Sequence, residues 1–150
     1  GGFVRQVMWD GIDVHTARML GWQAGSFDRP GLHFEHLRPM GSSDRNIIRG
    51  RLRHGFGQYF MGTSLIYMTA AACYRMTRPP VIRGGLAMWW GYVRSALKGV
   101  ERYPEPELRR FVRRFQWRAL RHGKKQATQI IEAEMEPAFD PNRPPRRIDA

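Results

Sequence analysis

Trp9-Asp10-Gly11-Ile12-Asp13, then Gly21-Trp22 eight residues further on, then His36-Leu37-Arg38-Pro39: these three pieces decide how the first part of the chain reads. Asp10 is a good helix N-cap, because its side-chain oxygen can accept from the free amides of the first turn. Asp13 stands three residues on, where an acid favours the positive end of the helix. Val14, Ala17, Met19 and Leu20 supply apolar contacts. Gly21 fits the position after a helix end, where positive φ is needed. The spacing therefore predicts a short helix closing on Gly21, entered through a loop or short strand over residues 1–9. Residues 22–28 and 32–37 read as two short extended segments around the turn signal Arg29-Pro30-Gly31. On the second segment His36 and Arg38 share one face, and His33 lies on the other because an odd spacing flips sides.

Outward from this region the character turns helical. Ser42, Ser43 or Asp44 can cap a helix that carries Ile47, Ile48 and Leu52 with arginines at 45, 49, 51 and 53. Then come 21 residues, His54 to Tyr74, with no Asp, Glu, Lys or Arg. That length would cross a bilayer, but Gly55, Gly57, Gln58, Gly62, Thr63, Ser64 and Thr69 dilute it. Pro79-Pro80 breaks the chain, and Val81 to Leu97 forms a second apolar segment interrupted by Arg83 and Arg94. Trp89, Trp90 and Tyr92 there are residue types that favour a membrane–water interface. Two amphipathic helices lying in the interface fit better than two spans. After Pro104 and Pro106, residues 107–134 predict a long basic helix, with Leu108, Phe111, Phe115 and Leu120 at helical spacing. Lys98 to Lys125 holds ten Lys/Arg against three Glu. The prolines and arginines after residue 136 predict a disordered tail. The resulting division is 1–42, a helix plus two strands; 43–100, amphipathic helices; 101–136, a basic helix; and 137–150, the tail.

Composition bounds the function. With 150 residues and 42% hydrophobic side chains the chain has material for one modest core. A net charge of +12 attracts phosphates, anionic lipid or nucleic acid. The single cysteine, Cys73, excludes an internal disulfide, fits a reducing compartment, and in its alanine-rich setting reads as a buried, inert thiol.

Taken together, Trp9-Asp10, Gly21-Trp22 and His36-Leu37-Arg38-Pro39, in this order and separation, resemble the acceptor-side half of a family 2 glycosyltransferase. The resemblance covers roughly residues 7–100, and the first 40 are the more specific part. It implies the C-terminal part of a GT-A-like α/β domain, mainly helical with two short strands, whose nucleotide-binding strands and Asp-x-Asp motif would precede Gly1. In such enzymes a carboxylate at the helix start takes the proton of the acceptor hydroxyl, which makes Asp10 or Asp13 the candidate base. Asp10 lies eleven residues before Gly21 and Asp13 eight before it, and both remain open. The histidine after the second strand sits near the leaving diphosphate and can ligate a divalent metal, Mg²⁺ or Mn²⁺; His36 matches that position. Trp9 and Arg38 would contact substrate, Arg38 through phosphate. The Gln-x-x-Arg-Trp signature of processive members is missing from the run Arg49 to Gly55, which favours transfer of a single sugar.

The expected activity is transfer from a nucleotide-sugar donor to an envelope polysaccharide or lipid-linked acceptor. Its setting would be cytoplasmic, peripheral on the inner face of the plasma membrane, with an anionic membrane surface as partner. Two rivals use the same residues. A basic nucleic-acid-binding helix would interleave Phe111, Phe115 and Trp117 with its cations, but no nucleic-acid module accompanies it. A peripheral membrane adaptor would use the apolar segments without catalysis.

Overall fold

The computed structural model describes residues 5–24, 31 and 46–135, and these form five helices. They are α1 (Trp9–Met19), α2 (Ile47–Met61), α3 (Leu65–Met76), α4 (Arg83–Leu97) and α5 (Pro106–Met135). The α/β expectation is overturned: among the described residues there is no strand. Of the first predicted strand, Trp22 to Ala24 are described and are irregular, because the chain leaves α1 through a helix-closing turn instead of entering a ladder. The remainder of that strand and all of the second lie outside the described residues. So do the proposed caps Ser42, Ser43 and Asp44; α2 is capped by Asn46, whose side chain accepts from Ile48 N at 2.9 Å.

The end of α1 follows the sequence reading closely. Gly21 has φ 88°, its N–H bonds to Arg18 O at 3.0 Å, and Trp22 N–H reaches back to Ala17 O at 2.9 Å. This paired closure satisfies carbonyls that the helix end would otherwise leave bare. The 21-residue uncharged run is cut in two by the same physics. Gly62 takes φ 89°, α2 stops, and Ser64 caps α3 by accepting from Tyr67 N. With 15 and 12 residues on either side of the break, neither piece spans a bilayer. No helix of the described residues is long and apolar enough to cross a membrane.

α2 is the central strut. Gly55 and Tyr59 face α4; Gly57 and Met61 face α1 and the start of α5. A methyl group at Gly55 would overlap the Met88 carbonyl, and one at Gly91 would overlap the Leu52 carbonyl, so α2 and α4 meet backbone to backbone. α3 and α4 pack around Met68, Ala72 and Met88, whereas Ile12, Met61, Leu108 and Val112 join α1, α2 and α5. Cys73 is exposed on α3, not buried as the alanine run implied, because only Met68 and Ala72 of that helix are fully covered.

The α2–α3 turn is clasped by a polar cluster. Thr63 Oγ1 donates to Gln58 Oε1 at 2.6 Å and accepts from Gln116 Nε2 at 3.0 Å. Gln116 Oε1 accepts from Ser64 N at 3.0 Å, and Tyr92 OH donates to Thr63 O at 2.7 Å. Three helices, α2, α4 and α5, thus share one satisfied network with the α2–α3 turn, the condition under which buried polar groups rigidify a core.

The long basic helix bends back on itself. Gly123, with φ 80° and ψ 160°, breaks α5 into two arms. Phe111 and Phe115 of the first arm pack on Ala127 and Ile131 of the second. Arg118 Nη1 donates to Glu134 at 2.8 Å, a contact between residues that a straight helix would hold about 24 Å apart. Leu108, Phe111 and Phe115 are buried as their spacing predicts, but Leu120 is exposed.

Candidate active site

The start of α1 forms one wall of an open cleft of about 690 Å³, lined by Arg5, Gln6, Val7, Met8, Trp9, Asp10 and Arg53. Met8 is left-handed (φ 72°, ψ 18°), which turns the chain sharply into the helix, and it offers no side-chain cap. Such a backbone costs of order 1–3 kcal/mol for a non-glycine residue and persists only where its surroundings hold it. Here Met8 packs beside Gly57 of α2. The helix therefore begins at Trp9, and Asp10 is not the N-cap but the second residue of the first turn, exposed to solvent. A carboxylate there still faces the positive end of the helix. Trp9 is 47% exposed beside it.

The two carboxylates face different neighbourhoods. Asp10 lines the cleft, and its charge reaches His54 of α2. Burial holds the His54 imidazole below its ordinary value, Lys124 pushes the same way, and Asp10 opposes them. The His54 ring lies 3.4 Å from Gln58 Nε2, which ties it to the polar cluster at the α2–α3 turn. Asp13, also exposed, is not among the cleft-lining residues, and its charge acts on Tyr103 instead. The Tyr103 phenol is pushed up by burial first, then by Glu105 and Asp13.

A second histidine, His15 of α1, is inert toward the cleft. His15 packs edge-on against Phe115, with ring centres 5.0 Å apart, and against Phe111 at 6.2 Å. Burial, then Arg18 and Lys124, lower its pKa to about 4. Arg18 fixes the exit of α1 by donating to Ala24 O at 2.9 Å and pairing with Glu132 at 3.1 Å.

His36 and Arg38, and His33 used to contrast with them, lie outside the described residues. Among the described residues no three His, Cys, Asp or Glu side chains converge to hold a metal ion. Of the predicted site, the structure brings Trp9 and Asp10 together at the cleft and sets Asp13 apart. Arg5, Arg53 and His54 were not singled out by sequence reasoning. Arg53 stood in a row of arginines whose direction depends on how α2 is seated, and His54 appeared only as the edge of an uncharged run.

Compared with known proteins, the chain matches no family model, no curated protein and no solved structure.

Proposed function

We propose that this chain forms the acceptor side of a glycosyltransferase that moves a single sugar from a nucleotide-sugar donor to a glycan or lipid-linked acceptor. The observation that carries the reading is the cleft at the start of α1. An exposed carboxylate, an indole and two guanidinium groups line one opening. Those are the groups that would accept a hydroxyl proton, stack on a sugar ring and neutralise phosphate. The order of Trp9-Asp10, Gly21-Trp22 and His36-Leu37-Arg38-Pro39 supports the same reading from the sequence.

In the proposed step an acceptor oxygen attacks the anomeric carbon and forms the new glycosidic bond. The bond from that carbon to the donor diphosphate breaks, its electron pair leaves on the phosphate oxygen, and the acceptor proton passes to Asp10. Asp10 is preferred to Asp13 because it lines the cleft. Arg5 and Arg53 would face the charge of the substrate. His36 and Arg38 keep the roles the resemblance gives them, beside the diphosphate. A divalent metal, Mg²⁺ or Mn²⁺, held with the help of His36 would supply further positive charge on the leaving diphosphate. The proposed setting is the inner face of the plasma membrane, with the protein bound peripherally.

The test is Asp10→Asn in the full-length enzyme. The amide keeps the size of the side chain but cannot take the proton, so turnover is lost by about 10²-fold or more while donor binding stays near wild type. Asp13→Asn retains turnover. Near-wild-type turnover in both variants would overturn the assignment.

A further inference from the structure

α4 turns to solvent a stripe that its own packing does not account for. Leu86, Trp90 and Leu97 recur at spacings of four and seven and are 51%, 50% and 76% exposed. The face of α3 beside it continues the same character: Leu65, Ile66, Cys73 and Tyr74 are exposed, and none is charged. Trp89 Nε1 donates to Thr69 Oγ1 at 3.2 Å and joins the two faces into one surface. Contiguous exposed apolar surface of this kind marks a place of association.

The charge around the surface identifies the occupant. Between Asp44 and Glu101 the sequence has no Asp or Glu and nine Lys/Arg. Arg94 and Lys98, exposed on α4, join Arg53 of α2 around a cavity of about 280 Å³ floored by Phe56 and Val100. No acidic side chain lines it. A second copy of this chain docked through the same face would bring like charges together. An anionic lipid surface complements both parts of the face at once: the tryptophans and leucines suit the headgroup–acyl boundary, and the cations suit phosphate.

We propose that the α3–α4 face docks on a bilayer containing anionic phospholipid. The apolar stripe enters the interfacial layer, and a lipid phosphate group sits among Arg53, Arg94 and Lys98. This deepens the membrane part of the preceding reading and rests on it for the cellular setting. Arg53 also lines the Asp10 cleft, so docking would hold that cleft at the membrane surface, where a lipid-linked acceptor resides.

Vesicle sedimentation of the full-length chain tests this, with pure phosphatidylcholine against phosphatidylcholine containing phosphatidylglycerol. The expected result is binding to the anionic vesicles, weakened as salt rises because screening shortens the reach of the charges. Arg94→Gln with Lys98→Gln lowers partitioning by about 25-fold, taking about fivefold per lost cation. Trp90→Ser with Leu97→Ser lowers it by about tenfold or more. These four side chains are exposed, so unchanged helicity is the control. Asp10→Asn binds like wild type, which separates this inference from the assignment of the base.

Equal binding to neutral and anionic vesicles, or none to either, would overturn the proposal. So would stabilisation by inorganic phosphate with no vesicle binding, which would make the cavity a site for a soluble phosphate. A concentration-dependent dimer that Trp90→Ser dissociates would assign the face to a second copy instead.

Discussion

Acidification should loosen the joint between α1 and α5, and His15 sets the amount. In the folded chain the imidazole titrates at about 4, held there by burial and by the charges of Arg18 and Lys124. In the unfolded chain it titrates near the ordinary 6.5. A group whose folded value is depressed binds more protons when unfolded, so its stability is fully present above 6.5 and is lost as pH falls toward 4. Each pH step inside that window is worth about 1.4 kcal/mol. The loss comes to about 2 kcal/mol at pH 5 and about 3 kcal/mol at pH 4. For a domain of this size 2 kcal/mol corresponds to about 4–8 °C in Tm.

The assay is urea unfolding at pH 7.5 and pH 5, wild type beside His15→Gln. His54, also depressed, and Glu134, whose carboxyl Arg118 holds low, are present in both chains, so the difference in pH response isolates His15. Wild type should lose about 2 kcal/mol more than the variant between the two pH values. Equal pH responses would refute the picture of a neutral imidazole clamped against Phe111 and Phe115.

Gln116→Leu should destabilise by about 2–4 kcal/mol, because Ser64 N–H and the Thr63 hydroxyl each lose a buried partner; urea unfolding reads it, and a cost under 0.5 kcal/mol would mean the α2–α3 turn is held by packing alone. Gly91→Ala should cost about 1–3 kcal/mol, since the methyl meets the Leu52 carbonyl on the facing helix; a neutral substitution would show that α2 and α4 can separate freely. For His36, donor affinity titrated with Mn²⁺ should weaken in His36→Ala and not in His33→Ala; equal responses would remove His36 from the donor site.

The sequence made some elements plain because a local rule fixes them. Gly21 closing α1, Pro106 opening α5 and the Phe111–Phe115 stripe all follow from chemistry within a few residues. The division at Gly62 was visible only as dilution of an apolar run, since a glycine inside a helical pattern does not announce that it will take positive φ. Gly123 hid in the same way: its consequence, the pairing of Arg118 with Glu134, depends on contacts sixteen residues apart. The strands rested on the turn signal Arg29-Pro30-Gly31 alone, and where the first of them should begin, at Trp22 to Ala24, the chain is still completing the helix-closing turn of α1. At the cleft, Trp9 and Asp10 were legible from their place before a helix. Arg53 and His54 were not, because their direction is set by how α2 seats on α1 and α4.

That seating makes Arg53 the hinge of both proposed sites. One contact, Gly57 against Met8 and Val7, sets α2 against the start of α1 and so fixes Arg53 relative to Asp10. A different contact, Gly91 against Leu52, sets α2 against α4 and fixes Arg53 relative to Arg94 and Lys98. The two contacts lie on opposite faces of one helix, so a side chain added at either position displaces Arg53 from one site first. An added methyl at Gly57 has to push Met8 aside and should disturb the Asp10 cleft before the lipid face. At Gly91 the overlap is with backbone, which cannot swing away as a side chain does, and the spacing of Arg53 from Arg94 must open. If the cleft and the lipid face serve one reaction at a membrane surface, Gly57→Ala should impair turnover with vesicle binding intact. Gly91→Ala should weaken vesicle binding first, and the opposite order would break the link drawn through α2.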